Sequence, residues 1–291
     1  MQWTPGGTSE DVEDRRGDSG GGGGGGFGYG PHLGIGGTLV LLVLSFIFKQ
    51  NLFSVFSGGG SYSEPPSSSA SRDPRGVGQG SSDGEEREVQ FVSFVIDDVQ
   101  RTWEKLLPAA GASYRHAKLV LFRDSIRSAC GSADAATGPF YCPGDEKVYL
   151  DLGFFNELQQ RFGAPGEFAQ AYVIAHEIGH HVQKILGIES RSRRLQRANP
   201  SEANQVSVGL ELQADCFAGV WGNSTEQRKI VDQSDVTAGL RAAAAVGDDR
   251  LQKMATGRVS PESFTHGSSA QRVASFRKGL ESGQPSACID R

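Results

Sequence analysis

The chain has 291 residues, 29 basic and 34 acidic side chains for a net charge of −5, and 40 glycines. Of those glycines 22 precede residue 91, so roughly the first ninety residues lack the makings of a packed core, while the remainder has an ordinary globular mixture. A collagen, a coiled coil and a wholly disordered chain are excluded, and with no polybasic field nothing points to nucleic acid as a partner.

Residues 1–32 read as a disordered, charged and glycine-rich tail. Glu10, Asp11, Glu13, Asp14, Arg15, Arg16 and Asp18 sit among almost no apolar residues, and Gly20 to Gly26 run without interruption. Such a run loses too much backbone entropy to order itself. Leu33 to Phe48 then carries no charge. As a helix it would be about 24 Å long, slightly short of a ~30 Å hydrocarbon core. With Lys49 and Gln50 closing it, the segment 33–50 is expected to be a transmembrane anchor in contact with lipid. The acidic leader and the lack of a small-x-small site argue against a cleaved signal peptide. Arg15 and Arg16 before the segment and Lys49, Arg72 and Arg75 after it do not decide its orientation. Residues 51–87 read as a Gly/Ser/Pro-rich linker.

The folded domain is expected over 88–291. Phe91, Val95, Val99, Trp103 and Leu106 recur at helical spacing, predicting a helix over 89–107. Lys118 to Phe122 and Lys147 to Leu152 read as strands. Helices are expected over 167–186, 206–221 and 235–246. Helices dominate, a few strands accompany them, and no βαβ rhythm is evident, so the class is α+β.

The chemistry concentrates at 176–180, His-Glu-Ile-Gly-His. Histidines four apart on a helix lie about 40° apart around its axis, so His176 and His180 present two nitrogens to one metal. Glu177 falls at the edge of that face. It can accept the proton of a metal-activated water without being a ligand. His181, about 100° round from His180, is expected to face away from the metal. A third ligand must come from elsewhere, because Gln183 and Leu186 stand where a longer motif would place glycine and histidine. Glu211 and Asp215, also four apart on a predicted helix, supply a candidate. Glu211 would bind the metal while Asp215 accepts the second ring N–H of a liganding histidine. His266 and, less well, Asp215 compete with Glu211 for the third position.

Ala175-His-Glu-Ile-Gly-His-His-Val-Gln183 followed by Glu211-Leu-Gln-Ala-Asp-Cys-Phe-Ala-Gly-Val-Trp221 resembles the neutral zinc metallopeptidase family of bacteria, which is membrane-anchored. The resemblance extends through Val12–Gly17, Tyr141–Phe155, Gly247–Gln252 and Thr265–Gly279. The paired motifs are also similar to those of gluzincin peptidases. The resemblance implies a mainly helical, zincin-like domain with a small sheet and one Zn2+ per chain. It implies Glu211 as ligand, Asp215 as the support of a ligand histidine, and a peptide or protein as substrate. Thr265-His-Gly-Ser-Ser-Ala-Gln-Arg272 resembles the His-Pro-x-x-x-x-Arg segment of gluzincins, with Gly267 replacing proline. His266 could therefore be catalytic, donating to a developing oxyanion, or could cap the helix that follows. Lys147 to Leu152 precedes the active helix as a substrate-binding edge strand would. Two other functions stay in view: a membrane-tethered module whose zinc is structural, and a hydrolase of a non-peptide amide.

Four cysteines allow three complete pairings. Cys130 and Cys142 bracket a Gly/Ala/Pro-rich loop and are paired here, which leaves Cys216 with Cys288. Two disulfides call for an oxidising compartment. The expected location is the bacterial inner membrane, single-pass, with the domain in the periplasm and the tail in the cytoplasm.

Overall fold

The computed structural model describes residues 1–18, 79–134 and 137–289. Helices dominate and a small mixed sheet accompanies them, so the architecture is α+β. The first strand is β1 (Val12–Asp14), followed by helix α1 (Gln79–Leu106), β2 (Lys118–Phe122), the hairpin strands β3 (Ser125–Ser128) and β4 (Gly131–Asp134), β5 (Phe140–Cys142) and β6 (Lys147–Asp151). Among the described residues seven α-helices follow: α2 (Gly153–Gln160), α3 (Glu167–Ile185), α4 (Ile188–Ala198), α5 (Ala203–Gln227), α6 (Gln233–Ala245), α7 (Asp248–Thr256) and α8 (Ser269–Ser282).

The main sheet has the order β1-β2-β6-β5. β1 and β6 both run parallel to β2, and β5 closes one edge antiparallel to β6. This corrects two expectations. Parallel neighbours joined by long crossovers exist here, and β6 is internal, so the edges are the three-residue strands β1 and β5. One face of the sheet packs against α1, where Val92, Val95, Ile96, Val99 and Trp103 are fully buried at the spacing read from the sequence. Trp103 meets Phe217 edge-on at 5.2 Å, and Phe168 stacks on Trp221 at 5.6 Å, tying α1, α3 and α5 into one core. Beneath the β3–β4 hairpin a smaller cluster of Val120, Phe122, Ile126, Cys142 and Tyr149 covers the other face.

Glycines let the central helices approach closely. A Cβ on Gly219 or Gly279 would overlap the backbone of the partner helix, so α5 and α8 touch main chain to main chain. The Cys130–Cys142 disulfide fastens the hairpin to β5, and Cys216–Cys288 ties the C-terminal segment to α5. By the chain-entropy account the sequence separations of 12 and 72 correspond to about 3 and about 4 kcal/mol.

The N-terminal segment departs from expectation. Residues 1–18 form part of the domain rather than a disordered tail. The Met1 amine pairs with Asp235 at 2.8 Å, Trp3 packs on Phe91 at 5.4 Å, and Leu119 N–H donates to Asp11 O at 2.7 Å. Lys147 reaches Glu13, Lys118 reaches Asp11, and Arg16 reaches Glu85. Ion pairs accompany the backbone ladder and the Trp3 contact, and a reading that looks for apolar periodicity misses them. β1 and β2 are neighbours in one sheet, so residues 1–18 fold together with the domain. α1 also starts at Gln79, inside the stretch read as linker. The proposed anchor, 33–50, lies outside the described residues. Among the described residues no helix is long and apolar enough to cross a membrane.

Candidate metal centre

Helix α3 supplies the centre of the site. It enters through Gly166 and is apolar along most of its length, so 14 of its 19 residues are buried, including His176, Glu177 and His181. Gly179 allows α5 to cross directly behind the histidines. A Cβ there would lie 2.9 Å from the Ala214 carbonyl oxygen. The crossing brings Glu211 to the two histidines. His176 Nε2 lies 3.2 Å from one Glu211 oxygen and His180 Nε2 lies 3.4 Å from the other. One donor atom from each of His176, His180 and Glu211 falls within 4.8 Å of the others, the one such group among the described residues.

The remaining ring nitrogens are held from behind. His176 Nδ1 is 2.9 Å from Asp215 Oδ1, and His180 Nδ1 is 2.9 Å from Gln183 Oε1. Each contact fixes a ring so that Nε2 is the nitrogen left for a metal. Gln183 itself is anchored by donation to the Leu210 carbonyl. Asp215 is completely buried and also meets Tyr172 OH and the Arg272 guanidinium, whose Nε and Nη2 donate at 2.8 and 3.0 Å. The orienting roles of Gln183, Tyr172 and Arg272 were not read from the sequence. Arg272 had a signal, since it ends the segment compared with gluzincins.

Electrostatics suit a cation. Burial opposes charge on His176, yet the carboxylates of Asp215 and Glu211 outweigh it and push its pKa up to about 10. Burial likewise opposes ionisation of Glu211, but His180, His176 and His266 hold it well below the ordinary 4.5. The carboxylates that raise the His176 pKa also favour a cation at the ligand nitrogens. Two imidazole nitrogens and a carboxylate oxygen are donors that zinc accepts, and three protein ligands leave a position open. Glu177 is 8% exposed and outside the ligand triangle. Burial raises its pKa, opposed by the nearby histidines and by the neighbouring Tyr141 backbone on β5.

His266 lies beside this group. Its Nδ1 is 3.2 Å from Asp248 Oδ1, and Glu211 contributes to its raised pKa, against the effect of burial and alongside Asp248. It does not cap the helix that follows, because Ser268 and Gln271 form that capping box. His181 faces the other way. Its Nε2 is 2.7 Å from the Arg115 carbonyl, its Nδ1 is 2.9 Å from Tyr141 OH, and burial lowers its pKa.

Comparison with known proteins agrees with this arrangement. Residues 1–290 match the family model described as "Putative neutral zinc metallopeptidase". An uncharacterized protein of Escherichia coli (strain K12), YpfJ, is 43% identical over 289 residues, spanning 99% of this chain and 98% of its own. An uncharacterized Mycobacterium tuberculosis protein (strain H37Rv), Rv2575, is 41% identical over 203 residues, 66% of this chain and 67% of its own. No solved structure matches. The match includes β1 and its flanking residues as well as α3, α5 and α8, so the strand that the sequence disguised as a tail is part of the same family unit. The chain belongs to the neutral zinc metallopeptidase family.

Proposed function

We propose that the chain is a zinc-dependent peptidase that hydrolyses peptide bonds with Glu177 as general base. The observation that carries this reading is the position of Glu177, buried against the His176–His180–Glu211 triangle yet not part of it. A structural site would close all four positions with protein ligands and would have no use for such a carboxylate. Bound zinc supplies Lewis acidity, polarising the scissile carbonyl and lowering the pKa of water. His176, His180 and Glu211 hold the ion. Asp215 and Gln183 keep the imidazoles aligned. Glu177 accepts the proton of the attacking water and passes it to the departing amine. His266, with Nδ1 held by Asp248, is placed to donate from its other nitrogen to the oxyanion.

Substrate is an extended peptide segment added to the free edge of β5, whose backbone already reaches Glu177. The domain works outside the cytoplasm, where its two disulfides are stable. Residues 1–18 work there with it, while the apolar segment 33–50 contacts lipid. Replacing Glu177 by glutamine removes no ligand, so Glu177→Gln should retain zinc and lose hydrolysis of a mixed peptide library. Full activity in that variant would show the general-base assignment to be wrong.

A further inference from the structure

His181 belongs to the histidine-rich motif but has no place at the metal. It is completely buried on the sheet side of α3. Tyr114 stands edge-on to its ring at 5.6 Å, and Tyr141 lies tilted against it at 5.4 Å. The Arg115 carbonyl can only accept, so Nε2 must carry the hydrogen. Nδ1 is then a lone pair, and the Tyr141 hydroxyl donates to it. Arg115 is itself fixed through its side chain, which pairs with Glu146 in two bonds of 2.7 Å. The imidazole thus joins three elements: the segment leading into β2, the active helix α3, and the edge strand β5.

β5 needs such a link. It has only three residues, paired to β6 through Phe140–Tyr149, Tyr141–Val148 and Cys142–Lys147. Among the described residues no further strand lies beyond it. The Cys130–Cys142 disulfide holds its last residue, while Tyr141 at its middle depends on the short ladder and on what it touches on α3. The Tyr141 hydroxyl's hydrogen bond to His181 fastens this residue to α3 one helical turn from Glu177, whose carboxyl group the Tyr141 backbone approaches.

We propose that His181 is a positioning residue: with Tyr141 it clamps the edge strand β5 to helix α3 and so sets where an extended substrate lies relative to Glu177 and the metal ligands. The clamp touches neither metal nor scissile bond. It acts on how far along and how close to the helix a peptide strand is held. The kinetic consequence rests on the peptidase reading above, whereas the clamp's geometry does not.

The test uses the full chain with its zinc and compares His181→Ala, His181→Gln and Tyr141→Phe with the unaltered protein. Glutamine can donate from its amide nitrogen and accept at its oxygen, so it can replace both contacts of the imidazole. All three variants should keep one zinc per chain. His181→Ala and Tyr141→Phe should each lower kcat/KM for an extended peptide by about tenfold, the scale of a broken buried hydrogen bond. Most of that loss should fall in KM, with a blocked dipeptide little affected. His181→Gln should recover most of it, and the double replacement should lose no more than either alone. Equal losses for long and short substrates, or additive losses, would overturn the clamp and leave His181 a core residue. Nitrogen NMR of His181 should find hydrogen on Nε2, and amide exchange at Phe140–Cys142 should quicken in Tyr141→Phe. Hydrogen on Nδ1, or unchanged exchange, would overturn the clamp even if the unaltered protein cleaved no peptide, an outcome that by itself would sink only the peptidase reading.

Discussion

Among the histidine–aspartate pairs of the described residues, His176–Asp215 and His116–Asp11 stand at the two extremes of exposure, with His266–Asp248 between them, and their surroundings make them different devices. His176 and Asp215 are 7% and 0% exposed, and the carboxylate also binds Arg272 and Tyr172. His116 and Asp11 are 40% and 11% exposed, with Glu104 and Lys118 as further partners. In the first pair water is excluded, so each charge depends on its neighbours and the geometry is rigid. In the second, solvent screens every contact and each bond is individually weak. The inner pair aims an imidazole at a metal. The outer pair fastens the N-terminal strand to the sheet.

The sharpest break in this comparison comes from removing a ligand. Glu211→Ala should nearly abolish zinc retention, since it takes one of the three donors and the charge that balances the ion. His266→Ala should retain zinc and slow turnover. Elemental analysis of the purified variants decides between them, and zinc kept in Glu211→Ala but lost in His266→Ala would reverse the ligand assignment.

Removing Asp215 tests the inner pair directly. Asp215→Ala leaves the Arg272 guanidinium buried without its carboxylate, which should cost about 3–5 kcal/mol of stability. It also leaves His176 Nδ1 without an acceptor, so zinc affinity should fall by ~10–100-fold. Denaturant unfolding with and without zinc and chelator competition measure the two effects. Stability within error of the unaltered chain would mean that the buried network does not hold the site together. The corresponding outer change, Asp11→Ala, should cost about 1 kcal/mol or less and leave zinc affinity unchanged.

The same contrast explains what could be read in advance. The ligand pair His176–His180 and the Glu211–Asp215 pair are each local, four residues apart on a helix with an apolar face, so periodicity alone brings them onto one face. Their meeting depends on the α3–α5 crossing at Gly179 and Ala214, a tertiary fact for which family resemblance had to stand in. Tyr172 and Arg272 escaped because their roles exist only once three helices are packed, whereas Gln183 reaches His180 from three residues along the same helix and was within range of a local reading. β1 escaped for a different reason. Val12 is its one buried apolar residue, and its neighbours are charges whose partners lie about a hundred residues away. A stretch of charge beside a glycine run looks solvated until Lys118, Lys147 and His116 are placed opposite it. β5 was missed because three residues carry too little alternation to be seen, although two of them, Tyr141 and Cys142, open a recognised segment.

The smallest effect is expected at the outer pair, where it should depend on pH. Burial disfavours the charged form of His116, but its hydrogen bonds to Asp11 and Glu104 outweigh this and raise its pKa above the ordinary 6.5. The charged imidazole therefore contributes to docking of β1 fully below pH 6.5, and the contribution is lost as pH rises through the raised value. Asp11 sets the acid limit. Burial works against its ionisation, but Lys118 and His116 lower its pKa below 3.8, so its contribution fades only as pH falls through that lowered value. Docking is thus tightest from mildly acidic pH up to the neighbourhood of neutrality. Since His116 is 40% exposed, screening keeps the change to a fraction of about 1 kcal/mol, which amounts to less than about fivefold in an opening equilibrium. The reporting amide is Arg15, which donates to the Leu121 carbonyl at 2.8 Å. Its exchange protection, corrected for intrinsic rate, should fall modestly between pH 5.5 and 8.5 in low salt and hardly at all in His116→Ala. A rise in protection over that range would reverse the sign and remove His116 from the docking of β1.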